Sequence, residues 1–173
     1  MCIRDSKVTE LAVAIGAELG FDQDRLESLQ MAGLMHDIGK IGVPSEILSK
    51  PSRLTDAEMA LIQNHPQMAY DILRNIDFPW PIAEFVLQHH ERLDGSGYPN
   101  GLSGDQIRLE ARIIAVADVV EAVSSHRPYR AALGLDAALD EITEGSGTAY
   151  DPAVVGVCAR LFREKGFEFD RAT

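Results

Sequence analysis

His36-Asp37-Ile38-Gly39-Lys40-Ile41-Gly42-Val43-Pro44 is the stretch on which the reading of this chain turns. Leu26, Leu29, Gly33 and His36 fall at helical spacing, so an imidazole continues a face otherwise filled by apolar or small side chains. Gly39, Gly42 and Pro44 then break the helix. A histidine followed by an aspartate is thereby set at the end of a buried stripe.

The same periodicity extends in both directions. Val8, Leu11, Ala12, Ile15 and Leu19, followed by Gly20, predict a first helix with a glycine at its C-terminal end, and a second begins near Asp22. Thr55-Asp56-Ala57-Glu58 has the pattern of a capping box and opens a third helix, through Leu61 and Ile62 to His65, where Pro66 ends or kinks it. Met68, Ala69, Ile72 and Leu73 resume the period. Beyond Pro79-Trp80-Pro81, Ile82, Phe85, Val86 and His89 form another stripe that finishes in histidine.

Gly95, Gly97, Gly101 and Gly104, with Pro99, require an exposed, shaped loop over Leu93 to Gly104. Helix resumes around Gln106, and Ile107, Ala111, Ile114 and Asp118 share a face, which puts a carboxylate where an aliphatic side chain is expected. A short helix follows Asp136. A final one is opened by Asp151-Pro152, with Val154, Val157, Cys158, Leu161 and Phe162 as its inner stripe. No alternating strand pattern of useful length occurs, so the expected fold is all-α, a single helical domain of about seven helices.

Composition agrees with one soluble globular domain: 173 residues, 46% hydrophobic and 25% charged. The 16 basic and 27 acidic residues give a net charge of −11, which argues against DNA and an anionic membrane surface as partners but not against a small anionic ligand. No run approaches the roughly 18 apolar residues of a membrane span, and no signal-peptide pattern precedes the first helix, so the expected location is cytoplasmic. Cys2 and Cys158 form neither a metal-binding pair nor a disulfide framework.

Three helices thus deliver His36-Asp37, His89-His90 and Asp118 from their inward faces, and another delivers His65 at its C-terminal end. Imidazole and carboxylate are the ligands of divalent first-row metals. Adjacent helical residues diverge by roughly 100°, so each pair suits a site built around more than one ion with a shared carboxylate. Each residue alone has a structural reading: a core histidine, a helix end at His65, or an Asp118 paired with Arg112 or Arg130. Four histidines and two carboxylates together favour the metal.

These segments resemble the HD superfamily of metal-dependent phosphohydrolases, and specifically its HD-GYP branch. The naming motif is His89-His90-Glu91-Arg92-Leu93-Asp94-Gly95-Ser96-Gly97-Tyr98-Pro99, followed by Asn100-Gly101-Leu102. His65-Pro66, Ala115-Val116-Ala117-Asp118 and Arg127-Pro128-Tyr129-Arg130 resemble its further motifs. The resemblance implies a phosphodiesterase that opens cyclic di-GMP to linear pGpG, and in some members continues to GMP. It implies two or three divalent ions, iron or alternatively manganese, on His36, Asp37, His65, His89, His90 and Asp118, with Asp37 bridging. Lys40 is expected near the scissile phosphate, Arg127 and Arg130 on substrate phosphate, and Tyr98 at the substrate entrance. The glycine-rich loop is where the family contacts protein partners such as diguanylate cyclase domains, and a sensor or receiver module is expected upstream.

The chain departs from the family pattern at its start. Arg4 stands where a histidine is usual, and residues 1–6 are expected to be a truncated or non-native leader ahead of a domain at 7–173. Glu121 and His126 stand where aspartate is more frequent. A module that binds nucleotide or protein partners without turnover is the alternative these departures raise.

Overall fold

The computed structural model describes residues 3–125 and 133–169, in which nine α-helices and two short 3₁₀ segments occur and no strand is formed. The expected all-α architecture is therefore present, with two more helices than the periodicity suggested. One is α3 (Ser45–Leu48), a single turn in the glycine- and proline-rich stretch. The other arises because the pattern from Thr55 to Leu73 is two helices, α4 (Asp56–Gln63) and α5 (His65–Leu73), meeting at Asn64. Pro66 does not end a helix: it occupies the first turn of α5, where its missing N–H has no intrahelical partner to lose. His65 accordingly opens α5 instead of closing α4.

Local chemistry explains the other boundaries. Thr55 Oγ1 accepts the Glu58 N–H at 3.3 Å while the Glu58 carboxylate accepts the Thr55 N–H at 2.8 Å, the reciprocal cap of α4. Asp22 caps α2 (Gln23–Met35) through Arg25 N–H, and Asp151 caps α9 (Pro152–Arg163) through Ala153 and Val154. Gly20, at φ 82°, turns the chain out of α1 (Ile3–Glu18), a conformation glycine adopts without a Cβ penalty. α1 begins at Ile3, so helix runs across the expected boundary between residues 6 and 7.

α7 (Leu109–Ser124) lies at the centre. It buries Ala111, Ile113, Ile114, Val116, Ala117 and Val120, leaving almost no solvent-facing side over its middle turns. α1 packs Val8, Leu11, Ala12 and Ile15 against it, and α2 lies on α1 where Gly33 lets the backbones approach over Thr9. α8 (Leu135–Glu144) and α9 cover the other flank with Leu139, Ile142, Val154 and Cys158. α6 (Ile82–Gln88) packs beside α5, which also supports the 3₁₀ segment Ile38–Gly42. This arrangement brings the C-terminal ends of α2 and α6, the first residue of α5 and the middle of α7 to one place. No helix among the described residues is long and apolar enough to cross a membrane.

Candidate metal centre

His36 and His89 are the residues immediately after the last turns of α2 and α6, and His65 lies two residues beyond α4. The last carbonyls of a helix lack intrahelical donors, and each of these histidines uses one. His36 Nδ1 donates to the Gly33 carbonyl at 2.7 Å, His65 Nδ1 to Ile62 at 2.7 Å and His89 Nδ1 to Val86 at 2.6 Å. A carbonyl only accepts, so all three rings carry their proton on Nδ1 and present an Nε2 lone pair.

Those lone pairs converge. His65 Nε2 and His89 Nε2 face each other at 3.4 Å, and with both protons on Nδ1 neither can donate. His36 Nε2 is buried, makes no hydrogen bond among the described residues, and lies 3.5 Å from Asp37 Oδ2 and 4.0 Å from Asp118 Oδ1. Asp37 reaches the other side with Oδ1, 3.5 Å from His65 Nε2. The nitrogens of His65, His89 and His90 can all come within 4.8 Å of one another. Opposed lone pairs and an orphaned buried nitrogen beside two carboxylates are costly unless a cation satisfies them. The donor set therefore fits divalent metal ions.

The electrostatics suit ligation. Burial presses the carboxyl of Asp37 upward, but the adjacent His36 ring and the Lys40 ammonium, with its hydrogen bond, outweigh it and bring the group down to about 2. Burial lowers His89 to about 3 and His65 and His90 below their usual range, so these three imidazoles are neutral and able to ligate near neutral pH. Lys40 Nζ sits 2.6 Å from Asp37 Oδ2, at the edge of the cluster.

His90 follows the cap of α6, and Tyr98 comes from the glycine-rich loop. The Tyr98 ring stacks on that of His90, with centroids 4.8 Å apart at 26°, and its N–H donates to the His90 carbonyl at 3.2 Å. Burial of the phenol pushes its hydroxyl up to about 12.

Glu91, which sequence reasoning passed over as a site residue, fastens this loop. Its buried carboxylate accepts the N–H groups of Asn100 at 2.8 Å and Leu102 at 3.0 Å. The signal was available: an acid directly after the histidine pair, followed by a glycine-rich run whose amides need acceptors. Gly97 lies so close to the Glu91–Arg92 backbone that no Cβ fits, and Gly39 lies in the same way against the His65 carbonyl.

The structure thus gathers His36, Asp37, Lys40, His65, His89, His90, Tyr98 and Asp118. Arg112 is not the partner of Asp118: its guanidinium bonds Asp151, Asp105 and the Gly104 and Ile107 carbonyls. Arg127, Arg130 and His126 lie outside the described residues, as does the side chain of Arg4.

A model of the HD domain family matches residues 1–154. The chain is 41% identical over 156 residues to the cyclic di-GMP phosphodiesterase response regulator RpfG of Xanthomonas campestris pv. campestris, covering 89% of this chain and 41% of that protein. It is 46% identical over 131 residues to the 3'3'-cGAMP-specific phosphodiesterase 3 of Vibrio cholerae, covering 76% of this chain and 28% of that one. It therefore spans less than half the length of these relatives. Among solved structures, the HDG"Y"P protein Bd1817 of Bdellovibrio bacteriovorus superposes with a TM-score of 0.76 at 17% identity, over 92% of this chain and 51% of that one, a likeness of fold.

Proposed function

The chain belongs to the HD domain family, and we propose that it is a metal-dependent phosphodiesterase acting on a cyclic dinucleotide, cyclic di-GMP in first place, which it opens to linear pGpG, the product that some family members carry on to GMP. The observation that carries this reading is the convergence of four imidazoles and two carboxylates, with the Nε2 atoms of His65 and His89 opposed at 3.4 Å. The names of the relatives at 41% and 46% identity support the substrate class.

In this reading His36, Asp37, His65, His89, His90 and Asp118 would hold two or three divalent ions, iron or manganese, with Asp37 as the ligand they would share. Bound there, such ions supply the Lewis acidity that makes water a competent nucleophile near neutral pH and offsets phosphoryl charge. The chain's own residues do the rest. Backbone carbonyls fix the imidazole tautomers, so His36, His65 and His89 meet a cation without rearranging. Asp37 remains ionised at every physiological pH. Lys40, held on the Asp37 carboxylate at the edge of the cluster, is placed to donate to a phosphoryl oxygen as its charge grows.

We assign Arg127 and Arg130 to substrate phosphate and Tyr98 to the mouth of the site. The exposed edge of the loop at Asp94, Ser96 and Asn100 is the place for a protein partner such as a diguanylate cyclase domain. A cytoplasmic location and an upstream sensor or receiver module belong to the same reading. Arg4, at the place of the family's first histidine, favours a second one, a module that binds nucleotide or partners without turnover.

Purification under anaerobic conditions with iron or manganese, a metal count and a chromatographic assay of cyclic di-GMP cleavage decide between them. Metal uptake with formation of pGpG supports the enzyme. Full metal occupancy with no cleavage of cyclic di-GMP or cyclic GMP-AMP refutes it and leaves the binding module.

A further inference from the structure

Of the four clustered histidines, His90 is held differently. His36, His65 and His89 each anchor Nδ1 on a carbonyl three residues back, at 2.6 to 2.7 Å. The His90 ring makes no hydrogen bond among the described residues. Ring contacts hold it instead: Tyr98 stacked at 4.8 Å, His89 tilted at 4.0 Å and His65 edge-on at 5.0 Å. His65 and His89 are themselves cluster members tied down elsewhere, so Tyr98 is the neighbour that the loop contributes.

Tyr98 is in turn positioned by the loop's own fastenings. Its N–H donates to the His90 carbonyl, the Glu91 carboxylate collects the amides of Asn100 and Leu102 on the far side of Tyr98, and Gly97 lies against the Glu91–Arg92 backbone. Residues 90 to 102 therefore form a closed strap in which Tyr98 cannot be withdrawn without disturbing the carbonyl and the acid flanking the ligand. A ligand whose orientation is set before binding loses less freedom on meeting its ion.

We infer that Tyr98 is a positioning residue that sets the orientation of the His90 ring, and through it couples the loop to the affinity of one metal position. This rests on the metal-centre reading above. Offset ring stacking fits this task because it constrains the ring plane while leaving both imidazole nitrogens available. The cost of losing an orienting neighbour of a metal ligand is commonly 10- to 100-fold in affinity. Stacking being weaker than a hydrogen-bonded carboxylate, about tenfold is expected.

The test compares the full chain with Tyr98→Phe and Tyr98→Leu. Manganese is titrated into each metal-free protein against a competing chelator, and the His90 ring protons are followed by NMR before metal is added. Tyr98→Phe is expected to match the unsubstituted chain in both readouts. Tyr98→Leu is expected to weaken one equivalent of manganese about tenfold, leave the tighter binding unchanged and move the His90 ring resonances in the metal-free state. General destabilisation would weaken every equivalent together and would overturn the inference, as would a Tyr98→Leu titration identical to the original. Loss of affinity in Tyr98→Phe would place the effect on the hydroxyl and overturn the stacking account. If Tyr98→Leu loses its helical circular dichroism, Tyr98→Met, which fills similar space without a flat face, carries the same expectations. An unsubstituted chain that takes up neither manganese nor iron overturns the metal-centre reading and this inference with it, whereas normal uptake with no effect of Tyr98→Leu overturns the inference alone.

Discussion

Lys40 Nζ lies 2.6 Å from Asp37 Oδ2, three residues along the same 3₁₀ turn, and this ion pair stands at the edge of the histidine cluster. Lys40 is only about a quarter exposed and Asp37 less, so the pair is screened far less than one on open surface. In the proposed reaction the ammonium meets charge that grows on the phosphoryl group. Lys40→Met should lower kcat for cyclic di-GMP by about a hundredfold, the scale of losing one preorganised donor to transition-state charge. Bound metal, counted in the same preparation, should stay unchanged. Loss of metal in step with activity would instead make Lys40 a support for Asp37.

Gly39 tests how tightly the two halves of the centre are packed. A Cβ there would run into the His65 carbonyl, and backbone cannot yield as a flexible side chain does. Gly39→Ala should therefore destabilise the domain by about 1–3 kcal/mol in urea unfolding, the usual cost of overpacking. The displaced His65 should also weaken metal uptake. A variant with unchanged unfolding midpoint would show that the approach of α5 to the Ile38–Gly42 turn is looser than described.

The reciprocal cap of α4 carries a pH signature. Lys50 donates to the Glu58 carboxylate at 2.7 Å, and Thr55 adds its backbone and hydroxyl donors; in that order they bring Glu58 from an ordinary 4.5 down to about 2. A carboxylate with a depressed folded pKa stabilises the fold fully above the unfolded value and loses that contribution as pH falls through the folded one. Stability should thus decline between about 4.5 and about 2 more steeply in the original chain than in Glu58→Gln. Urea midpoints of the two, compared at pH 6 and pH 3, should lie closer together at pH 3. A gap independent of pH would contradict the assignment.

Asp151 holds both the first turn of α9, through Ala153 and Val154, and the guanidinium of Arg112 at 3.0 Å. Asp151→Ala removes a cap and leaves a largely buried arginine short of a partner. Thermal unfolding should show a loss of about 1–3 kcal/mol, and Asp151→Asn, which keeps the cap acceptor, should recover part of it.

Much of this architecture was legible in the sequence because its signals are local. Thr55 with Glu58, Asp151 with Pro152 and Gly20 mark helix ends by chemistry that acts within four residues, and the stripes of α1 and α9 follow from a single period. The convergence of His36, Asp37, His89, His90 and Asp118 was legible through periodicity and through the family resemblance together. Asn64, by contrast, carries no strong punctuation, so the periodicity shows α4 and α5 as one interrupted helix and puts His65 at the wrong helix end. The carbonyl anchors of His36, His65 and His89 depend on side-chain rotamers at helix termini, and the bonds from Glu91 to Asn100 and Leu102 depend on how the loop closes. Neither leaves a periodic trace. The partnership of Arg112 with Asp151 spans the fold, and spacing alone left Asp118 equally available to it.

In the proposed enzyme His36, Asp37, His65, His89, His90 and Asp118 form one metal centre. Anomalous diffraction from crystals of the full chain, grown anaerobically with iron and measured at the iron edge, tests it most directly. At least two peaks are expected inside the cluster, with Asp37 between them and the Nε2 atoms of His36, His65 and His89 about 2 Å from an ion. Well-ordered crystals of iron-loaded protein with no anomalous density at these side chains would contradict it.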